Sequence, residues 1–293
     1  MRRREPSIGV AIGKRGSGKS HKTLDTIQGY MRGNPLTGKI PRKALILDVN
    51  DEFGDVRRDF SLNFQHIKNL PISRIAEYSR HPAIECRRIR VIDDKGKVMS
   101  LDEIANLLSL IMETFKGGLL LVEDPTKYIS DSLPGDLLGK ICTLRHRNCD
   151  VIMHFQYFGK LAHPKIWGSV NYVRVHKSGD EVEGYKTAFG GHLHGMKIIE
   201  SLVNKQYSTG NKRFLAYYNK DTEVNAEKIV GAFTKDQFVV AIRDYLSKDY
   251  NKTVRPEANR IDLDIGKKIY KNPTDAVKGI VDNFVQTYYG NSF

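Results

Sequence analysis

An eight-residue glycine-rich segment constrains this chain more than any other feature. Residues 13–20 read Gly-Lys-Arg-Gly-Ser-Gly-Lys-Ser, a complete G-x-x-x-x-G-K-[ST] phosphate-binding loop. The apolar run Ile8 to Ile12 precedes the loop, and a segment with Leu24 and Ile27 at helical spacing follows it. A strand, a glycine-rich turn and a helix in this order direct backbone N–H groups and a helix N-terminus at a phosphate. The sequence therefore predicts nucleotide binding, and the alternative interpretation is an ordinary glycine-rich turn.

The residues of this loop have separate expected roles. Lys19 is expected to reach the β- and γ-phosphates of ATP, and Ser20 is expected to bind Mg²⁺. Glycines allow the backbone to curl around the phosphates. The candidate nucleotide-binding residues are Gly13, Lys14, Arg15, Gly16, Ser17, Gly18, Lys19 and Ser20.

Two acids follow a short apolar run, as hydrolysis of a bound nucleotide requires. Leu119 to Val122 predict a buried strand, and Glu123 and Asp124 come directly after it. Ligands of open α/β sheets bind at the carboxyl ends of strands. Glu123 is expected on the magnesium side and Asp124 on the water side, the reverse of the usual Asp-Glu order, so the predicted magnesium ligands are Ser20, Glu123 and Asp124. The alternative is a pair of solvated acids at a strand end.

Alternation of apolar runs with helical segments predicts an α/β fold with a mostly parallel sheet flanked by helices. A capping box at Ser100 and Glu103 marks the clearest helix, and Thr234 with Gln237 marks another. After about residue 200 the sequence becomes more polar, which predicts an ATPase domain at 1–200 and a smaller, mainly helical region at 201–293. The predicted strands are Ile8 to Ile12, Ala44 to Val49, Ile89 to Ile92, Leu119 to Val122, Val151 to Phe155 and Tyr172 to Val175.

Charge indicates a polyanionic partner. The formal net charge is +13, so nucleic acid is the expected partner. The three cysteines form no C-x-x-C pair, so a reducing cytosol is expected and a disulfide framework is not. No stretch approaches the roughly 20 apolar residues that span a bilayer, so a soluble protein is expected. The polar segment Asn251 to Asn259, with Pro256 inside it, predicts a surface connection.

Later motifs make the chain recognisable. An Asp closes the second predicted strand, an acid-aromatic pair follows it, and an Arg/His cluster precedes a strand that ends in Gln. These residues are Asp48, Glu52 with Phe53, Arg145 to Arg147, and Gln156. The pattern resembles the FtsK/HerA superfamily of P-loop ATPases, and in particular viral DNA-packaging ATPases and zonula-occludens-toxin-like phage assembly ATPases. The resemblance covers roughly residues 7 to 180 and implies a RecA/FtsK-like P-loop NTPase fold.

The resemblance also implies catalytic roles. Gln156 would sense the γ-phosphate or the attacking water. Arg145 or Arg147 would be an arginine finger that reaches into the neighbouring subunit's site, which requires a homo-oligomeric ring, a hexamer or a pentamer. The alternative is that these arginines pair with Asp150 or contact solvent. With Lys19, Glu123 and Asp124, these residues complete the predicted catalytic set.

Further residues are assigned by charge and position. Asp48 and Glu52 are secondary candidates for the magnesium shell or for capping the sheet edge. Lys127, Tyr128 and Lys140 follow the acid-bearing strand and could grip a DNA backbone. The basic groups Arg2 to Arg4, Arg57 with Arg58, and Arg87, Arg88 and Arg90 are interpreted as solvated faces.

The function that this implies is an ATP-driven double-stranded DNA translocase, expected to be a viral genome-packaging ATPase. Its cofactors would be ATP and Mg²⁺, and its setting the cytoplasm of an infected host cell or the virion. Capsid or portal-vertex proteins are further candidate partners. The main alternatives are a zonula-occludens-like assembly or secretion ATPase and a nucleotide-binding structural switch with little hydrolysis. A nucleotide or small-molecule kinase also stays open, although the sequence indicates no acceptor pocket.

Overall fold

The computed structural model describes residues 6–54, 67–93, 96–125, 140, 144–220, 227–261 and 267–290. The chain divides into two compact units, Met1–Val170 and Asn171–Phe293. The boundary predicted from composition, at residue 200, falls inside the helix Leu193–Ser208 of the second unit. A change in composition and a change in packing do not have to coincide, because composition follows solvent exposure whereas a compact unit is defined by its internal contacts.

The described part of the first unit contains a parallel sheet of six strands. Their order is β3-β4-β2-β5-β6-β1, and each neighbouring pair runs parallel. Most of these strands are apolar on both faces and fully buried, as strands covered by helices on two sides must be. The strands are β1 (Ile8–Ile12), β2 (Ala44–Asp48), β3 (Lys68–Asn69), β4 (Cys86–Arg90), β5 (Leu119–Val122) and β6 (Asp150–Phe155). The predicted mostly parallel α/β architecture is confirmed.

Helices connect these strands. In α3, Ser100 Oγ accepts from the backbone N–H of Glu103 at 3.3 Å, and the Glu103 carboxylate accepts from the N–H of Ser100 at 2.6 Å. The predicted capping box is therefore confirmed. The helices of the first unit that lie wholly within the described ranges are α1 (Lys19–Arg32), α2 (Ile75–Arg80), α3 (Leu101–Thr114), α4 (Phe158–Leu161) and α5 (Pro164–Ser169).

Helix α1 packs across three central strands. Its buried residues Leu24 and Ile27 belong to one apolar cluster with residues of β2, β5 and β6. These strand residues are Ala44, Ile46, Leu119, Leu121 and Ile152. Burial of this face fixes the helix that begins inside the phosphate-binding loop to the strands that carry the predicted acids.

The second unit combines a small antiparallel sheet with helices. Strand β8 pairs with both β7 and β9 in antiparallel register. The capping box of Thr234 and Gln237 is present at the start of α8. The elements are β7 (Tyr172–Val175), α6 (Lys186–Phe189), α7 (Leu193–Ser208), β8 (Ala216–Asn219), β9 (Lys228–Gly231), α8 (Lys235–Lys248), α9 (Tyr250–Ala258) and α10 (Pro273–Tyr288).

The predicted surface connection at residues 251–259 is wrong, because α9 occupies most of that segment. Val254 is buried in the contacts of α9 with α8 and α10, and this burial favours the helix over the polar character of its neighbours. Pro256 lies in the last turn, where its missing N–H removes one i→i−4 hydrogen bond close to the end of the helix. Among the helices of the described ranges, none has the length and apolar character that crossing a membrane requires.

We expect Ser100→Ala to lower the free energy of unfolding by about 1 kcal/mol, because the α3 N-terminus loses its side-chain cap. Urea denaturation measures this change. Asn106→Ala, at an exposed position of the same helix, is the matched control and should leave stability unchanged or slightly raised, since Ala is the better helix former. Equal losses in both variants would contradict the capping argument.

Candidate functional site

The phosphate-binding loop has the backbone conformation that its glycines permit. Gly16 and Gly18 have φ of 77° and 89°, which L side chains rarely adopt. A Cβ at either position would meet no atom within 4 Å, so backbone conformation and not crowding requires glycine there. The N–H of Gly13 donates to the carbonyl oxygen of Phe155 at 3.1 Å, which ties the start of the loop to β6.

Lys19 and Ser20 begin α1 directly after the loop. The Lys19 ammonium donates to the carbonyl oxygens of Gly13 and Lys14, the second at 3.2 Å, and so stays against the loop. Ser20 Oγ donates to a carboxylate oxygen of Glu52 at 2.9 Å. The structure thus brings the predicted magnesium ligand Ser20 into contact with an acid that the sequence ranked only second.

Glu52 reaches Ser20 because a buried acid organises the segment after β2. Asp48 is 1% exposed, and its carboxylate accepts from the N–H groups of Glu52 at 2.9 Å and Phe53 at 3.2 Å. These side-chain-to-backbone bonds hold residues four and five positions after Asp48 close to the end of β2. Asp48 therefore caps the sheet edge, one of the two roles that the sequence left open for it.

Arg88 of β4 neutralises Asp48. Its Nη1 donates to Asp48 Oδ2 at 2.7 Å, and its Nε donates to Asn69 Oδ1 at 2.8 Å. A Cβ on Gly54 would lie 2.3 Å from the guanidinium, so the segment after β2 packs directly on this side chain. The interpretation of Arg88 as a solvated residue is wrong, because it is 7% exposed and ion-paired. Its place beside β2 is a tertiary fact that no local sequence signal carries.

Glu123 is a buried carboxyl group beside other acids. It is 3% exposed, and Asn50 donates its N–H to Glu123 Oε2 at 3.3 Å. Burial, followed by the charges of Glu52 and Asp48, raises its pKa to about 8. Near neutral pH this carboxyl group is therefore largely protonated, and a cation placed among these acids would favour its ionised form.

Asp124 turns away from that acidic cluster towards β6. Its φ is 42°, a left-handed conformation that Asp tolerates better than most residues. Gln156 Nε2, just past the end of β6, donates to Asp124 Oδ2 at 2.9 Å. The two predicted catalytic residues from β5 and β6 therefore meet, which the strand order makes possible because β5 and β6 are neighbours.

The oxygen donors around Ser20 fit Mg²⁺. Within the described ranges no group of three or more His, Cys, Asp or Glu side chains is arranged to hold a metal by itself. Mg²⁺ does not need one, because it is commonly bound through one or two carboxylates together with substrate phosphates and water. The residues that fit this role are Ser20 and Glu52, already in contact, and Glu123, whose pKa is raised by burial and then by the charges of Glu52 and Asp48.

Of the two predicted arginines, Arg147 does not lie at this edge of the sheet. Arg147 precedes β6, whereas the site lies past the carboxyl end of that strand, roughly 20 Å away along six residues. Its guanidinium donates to the carbonyl oxygen of Glu113 on α3, so its described contact is with α3 and not with Asp150. The side chain of Arg145 lies outside the described residues.

The predicted DNA-contacting residues are only partly described. Lys140 forms an ion pair with Glu113 at 2.7 Å and donates to Ser109 Oγ at 2.6 Å, so its ammonium contacts α3 of its own chain. Lys127 and Tyr128 lie outside the described residues, as do the basic groups Arg2 to Arg4 and Arg57 with Arg58.

Two buried residues near the site escaped the sequence analysis altogether. Thr23 Oγ1 of α1 and His154 Nε2 of β6 lie 2.7 Å apart in a hydrogen bond. The signal that could have found His154 is its polar character inside a strand whose other central residues are apolar. Its partner could not be found, because the facing of α1 and β6 is decided by packing.

No protein-family model and no curated protein matches the chain. Among solved structures, the chain is similar to the genome packaging NTPase B204 from Sulfolobus turreted icosahedral virus 2. For its complex with ATP-gammaS, identity is 14% and the TM-score is 0.48, over 78% of this chain and 98% of that chain. For the complex with AMP, identity is 12% and the TM-score 0.48, over 77% and 98%.

The N-terminal domain of zonular occludens toxin from Neisseria meningitidis is also similar. Identity is 14% and the TM-score is 0.36, over 66% of this chain and 99% of that domain. Both kinds of protein that the sequence resemblance named are therefore among the solved structures to which the chain is similar.

Arg88→Met should lower the free energy of unfolding by about 3–5 kcal/mol, because it leaves the buried Asp48 carboxylate without its ion-pair partner. Chemical denaturation measures the loss. Arg87→Met, on the same strand, removes a half-exposed pair with Glu85 and should cost less than about 1 kcal/mol. A loss as small for Arg88 as for Arg87 would show that the buried pair does not support this segment.

Glu123→Gln should remove a pH dependence of stability. The pKa of the Glu123 carboxyl group is about 4.3 in the unfolded chain and about 8 in the folded one. Between these pH values the folded state holds a proton that the unfolded state has released. Wild-type stability therefore falls as pH rises through this window. The stability of Glu123→Gln relative to wild type should grow from pH 5 to pH 8 in denaturation experiments. Glu77→Gln, at an exposed acid, should show no such growth.

Proposed function

We propose that the chain is a magnesium-dependent ATPase whose reaction takes place at the carboxyl edge of the first unit's sheet. The observation that carries this proposal is the meeting of Lys19 and Ser20, the acids Glu123 and Asp124, and Gln156 at one edge. A phosphate-binding loop alone would support binding only. A buried acid and an amide beside it are what hydrolysis adds.

In the proposed reaction, a water oxygen bonds to the γ-phosphorus while the bond from that phosphorus to the β–γ bridging oxygen breaks, which yields ADP and inorganic phosphate. Lys19 and the loop N–H groups stabilise the negative charge on the phosphates. The bound Mg²⁺, held through Ser20 with Glu52 and Glu123, would supply further charge neutralisation. Asp124 accepts the water's proton. The Gln156 side-chain amide donates to Asp124, and its carbonyl oxygen is of the chemical type that accepts a hydrogen bond from a water.

We extend the proposal to a ring-forming motor on double-stranded DNA, of the viral genome-packaging kind. Its support is the net charge of +13, which suits a phosphate backbone, together with the motif resemblance. Because Arg147 lies at the opposite edge from its own loop, it could serve as an arginine finger only in a neighbouring subunit. Arg145 is the other candidate. The setting would be an infected cell's cytoplasm or the virion, with capsid or portal-vertex proteins as partners.

A nucleotide-dependent switch with little hydrolysis is the second candidate. The feature that favours it is the buried Glu123, whose pKa is raised to about 8 by burial and by the neighbouring acids, which favours its protonated form. A protonated carboxyl group is a poor metal ligand. Tight ATP binding without turnover, at protein concentrations that permit assembly and with DNA present, would support this candidate over the ATPase.

We expect purified wild-type protein to release phosphate from ATP in the presence of Mg²⁺, and Lys19→Ala to lower the rate by at least about 100-fold, because charge stabilisation at the transferred phosphoryl group is lost. Steady-state phosphate release, with and without double-stranded DNA, is the measurement. Lys22→Ala is the matched control: this lysine lies on α1, is 41% exposed and pairs with Asp25, so activity should be kept.

The DNA arm of this experiment separates the two levels of the proposal. Stimulation by double-stranded DNA supports the motor. ATPase activity that DNA leaves unchanged at every salt concentration argues against translocation and leaves a simple ATPase. Turnover in Lys19→Ala equal to wild type would place the reaction at another site.

A further inference from the structure

One face of strand β6 presents two polar side chains, Asp150 and His154, to α1 inside an otherwise apolar core. Residues 150, 152, 154 and 156 share one face because side chains alternate along a strand. Ile152 on this face packs with Leu24 and Ile27 of α1. On either side of that apolar contact, Asp150 accepts from the Tyr30 hydroxyl, and His154 bonds to Thr23.

The contact between Thr23 and His154 is the deeper and better placed of the two. Thr23 is 0% exposed and His154 is 2% exposed. Burial of a hydroxyl and an imidazole is tolerated only when each is hydrogen-bonded, whereas an aliphatic pair would fill the same space without that requirement. The polar pair therefore specifies one relative position of α1 and β6, which an apolar contact, being non-directional, does not.

Both partners lie close to residues of the proposed site. Thr23 follows Lys19 by four residues and Ser20 by three, so it lies one helical turn from them on the same side of α1. His154 precedes Gln156 by two residues on the same face of β6, a separation of roughly 7 Å. The contact is thus one turn from the phosphate-binding residues and one strand repeat from the residue that holds Asp124.

From this geometry we infer that the Thr23–His154 hydrogen bond is a positioning link. It sets how far the phosphate-binding residues of α1, Lys19 and Ser20, lie from the hydrogen-bonded pair of Gln156 and Asp124. This inference rests on the proposed function and names two residues that act through others. Without the bond, α1 keeps its apolar packing on β6 but loses a directional contact that lies one helical turn from the loop. A misplacement of about 1 Å between reacting groups can cost on the order of 100-fold in rate.

The Tyr30 contact supplies a matched control. Tyr30 lies ten residues after Ser20, roughly 15 Å farther along α1, at the other end of the same interface. Tyr30→Phe removes a hydroxyl as Thr23→Val does, and Asp150 keeps its bonds from the N–H of Ser7 at 2.7 Å and from the Ser7 hydroxyl at 2.8 Å. Thr23→Val and Tyr30→Phe therefore each remove one hydroxyl group from the same interface, and they differ in how far that group lies from the phosphate-binding loop.

The test compares Thr23→Val, Thr23→Ser and Tyr30→Phe for kcat, KM and affinity for a non-hydrolysable ATP analogue. We expect Thr23→Val, which is isosteric, to lower kcat by at least about tenfold with analogue affinity changed less than about threefold, because the loop is intact and only its alignment changes. Thr23→Ser restores the hydroxyl and should recover most of kcat. Tyr30→Phe should keep kcat within about twofold of wild type.

Stability measurements exclude a general packing effect. If Thr23→Val and Tyr30→Phe lose kcat in proportion to their losses of unfolding free energy, or if Thr23→Val turns over like wild type, the link is overturned. If Thr23→Val does not fold, Thr23→Ala takes its place. Thr23→Ala should likewise have a lower kcat, whereas Thr23→Ser should keep most of the wild-type kcat.

A second readout keeps this inference separate from the hydrolysis proposal. The side-chain amide signal of Gln156, assigned by its loss in Gln156→Glu, should shift in NMR spectra when wild-type protein binds the ATP analogue. This change in chemical shift should be smaller by at least about half in the Thr23→Val variant saturated with the analogue, and it should persist in Tyr30→Phe. If wild-type protein binds the analogue but does not hydrolyse ATP, the hydrolysis proposal is contradicted. The Gln156 signal alone then shows whether the Thr23–His154 bond positions Gln156. A wild-type protein that binds no nucleotide defeats both.

Discussion

The parallel pairing of four central strands is the constraint on which the rest of this structure depends. In the order β2-β5-β6-β1, every carboxyl end lies at the same edge of the sheet. The phosphate-binding loop follows β1, Gln156 follows β6, Glu123 and Asp124 follow β5, and the segment of Glu52 follows β2. Because β6 lies between β1 and β5, Gln156 is placed where it can bond to Asp124, and the N–H of Gly13 can bond to the carbonyl oxygen of Phe155.

Charge balance at this edge follows from burial. Acids from two strands converge beside the loop, and two of them, Asp48 and Glu123, are almost fully buried. Arg88 compensates Asp48 directly, whereas Glu123 responds with a raised pKa. A divalent cation beside these acids would favour the ionised form of Glu123, which connects the electrostatics of the folded chain to the chemistry proposed for it.

Prediction succeeded wherever a local pattern carries a physical requirement. The loop glycines, the capping boxes of α3 and α8, and the apolar runs of β1, β2 and β5 were all readable, because backbone conformation, helix termini and burial leave marks within a few residues. Arg88 and the helix α9 were misread for the opposite reason. A charged residue and a polar, proline-containing segment have low local propensity for burial and helix, and only contacts distant in sequence, with Asp48 and with α8 and α10, reverse that preference.

The sequence by itself determined that a phosphate-binding loop precedes a helix and that two acids follow a buried strand, because each of these depends on neighbouring residues. Only the tertiary structure decided that Glu52 contacts Ser20, that Gln156 contacts Asp124, and that Thr23 contacts His154. These pairs are separated by 32 to 131 residues. Their meeting follows from strand order and from the face of α1 that packs on the sheet, and both are set by the burial of the whole apolar core and not by any local segment.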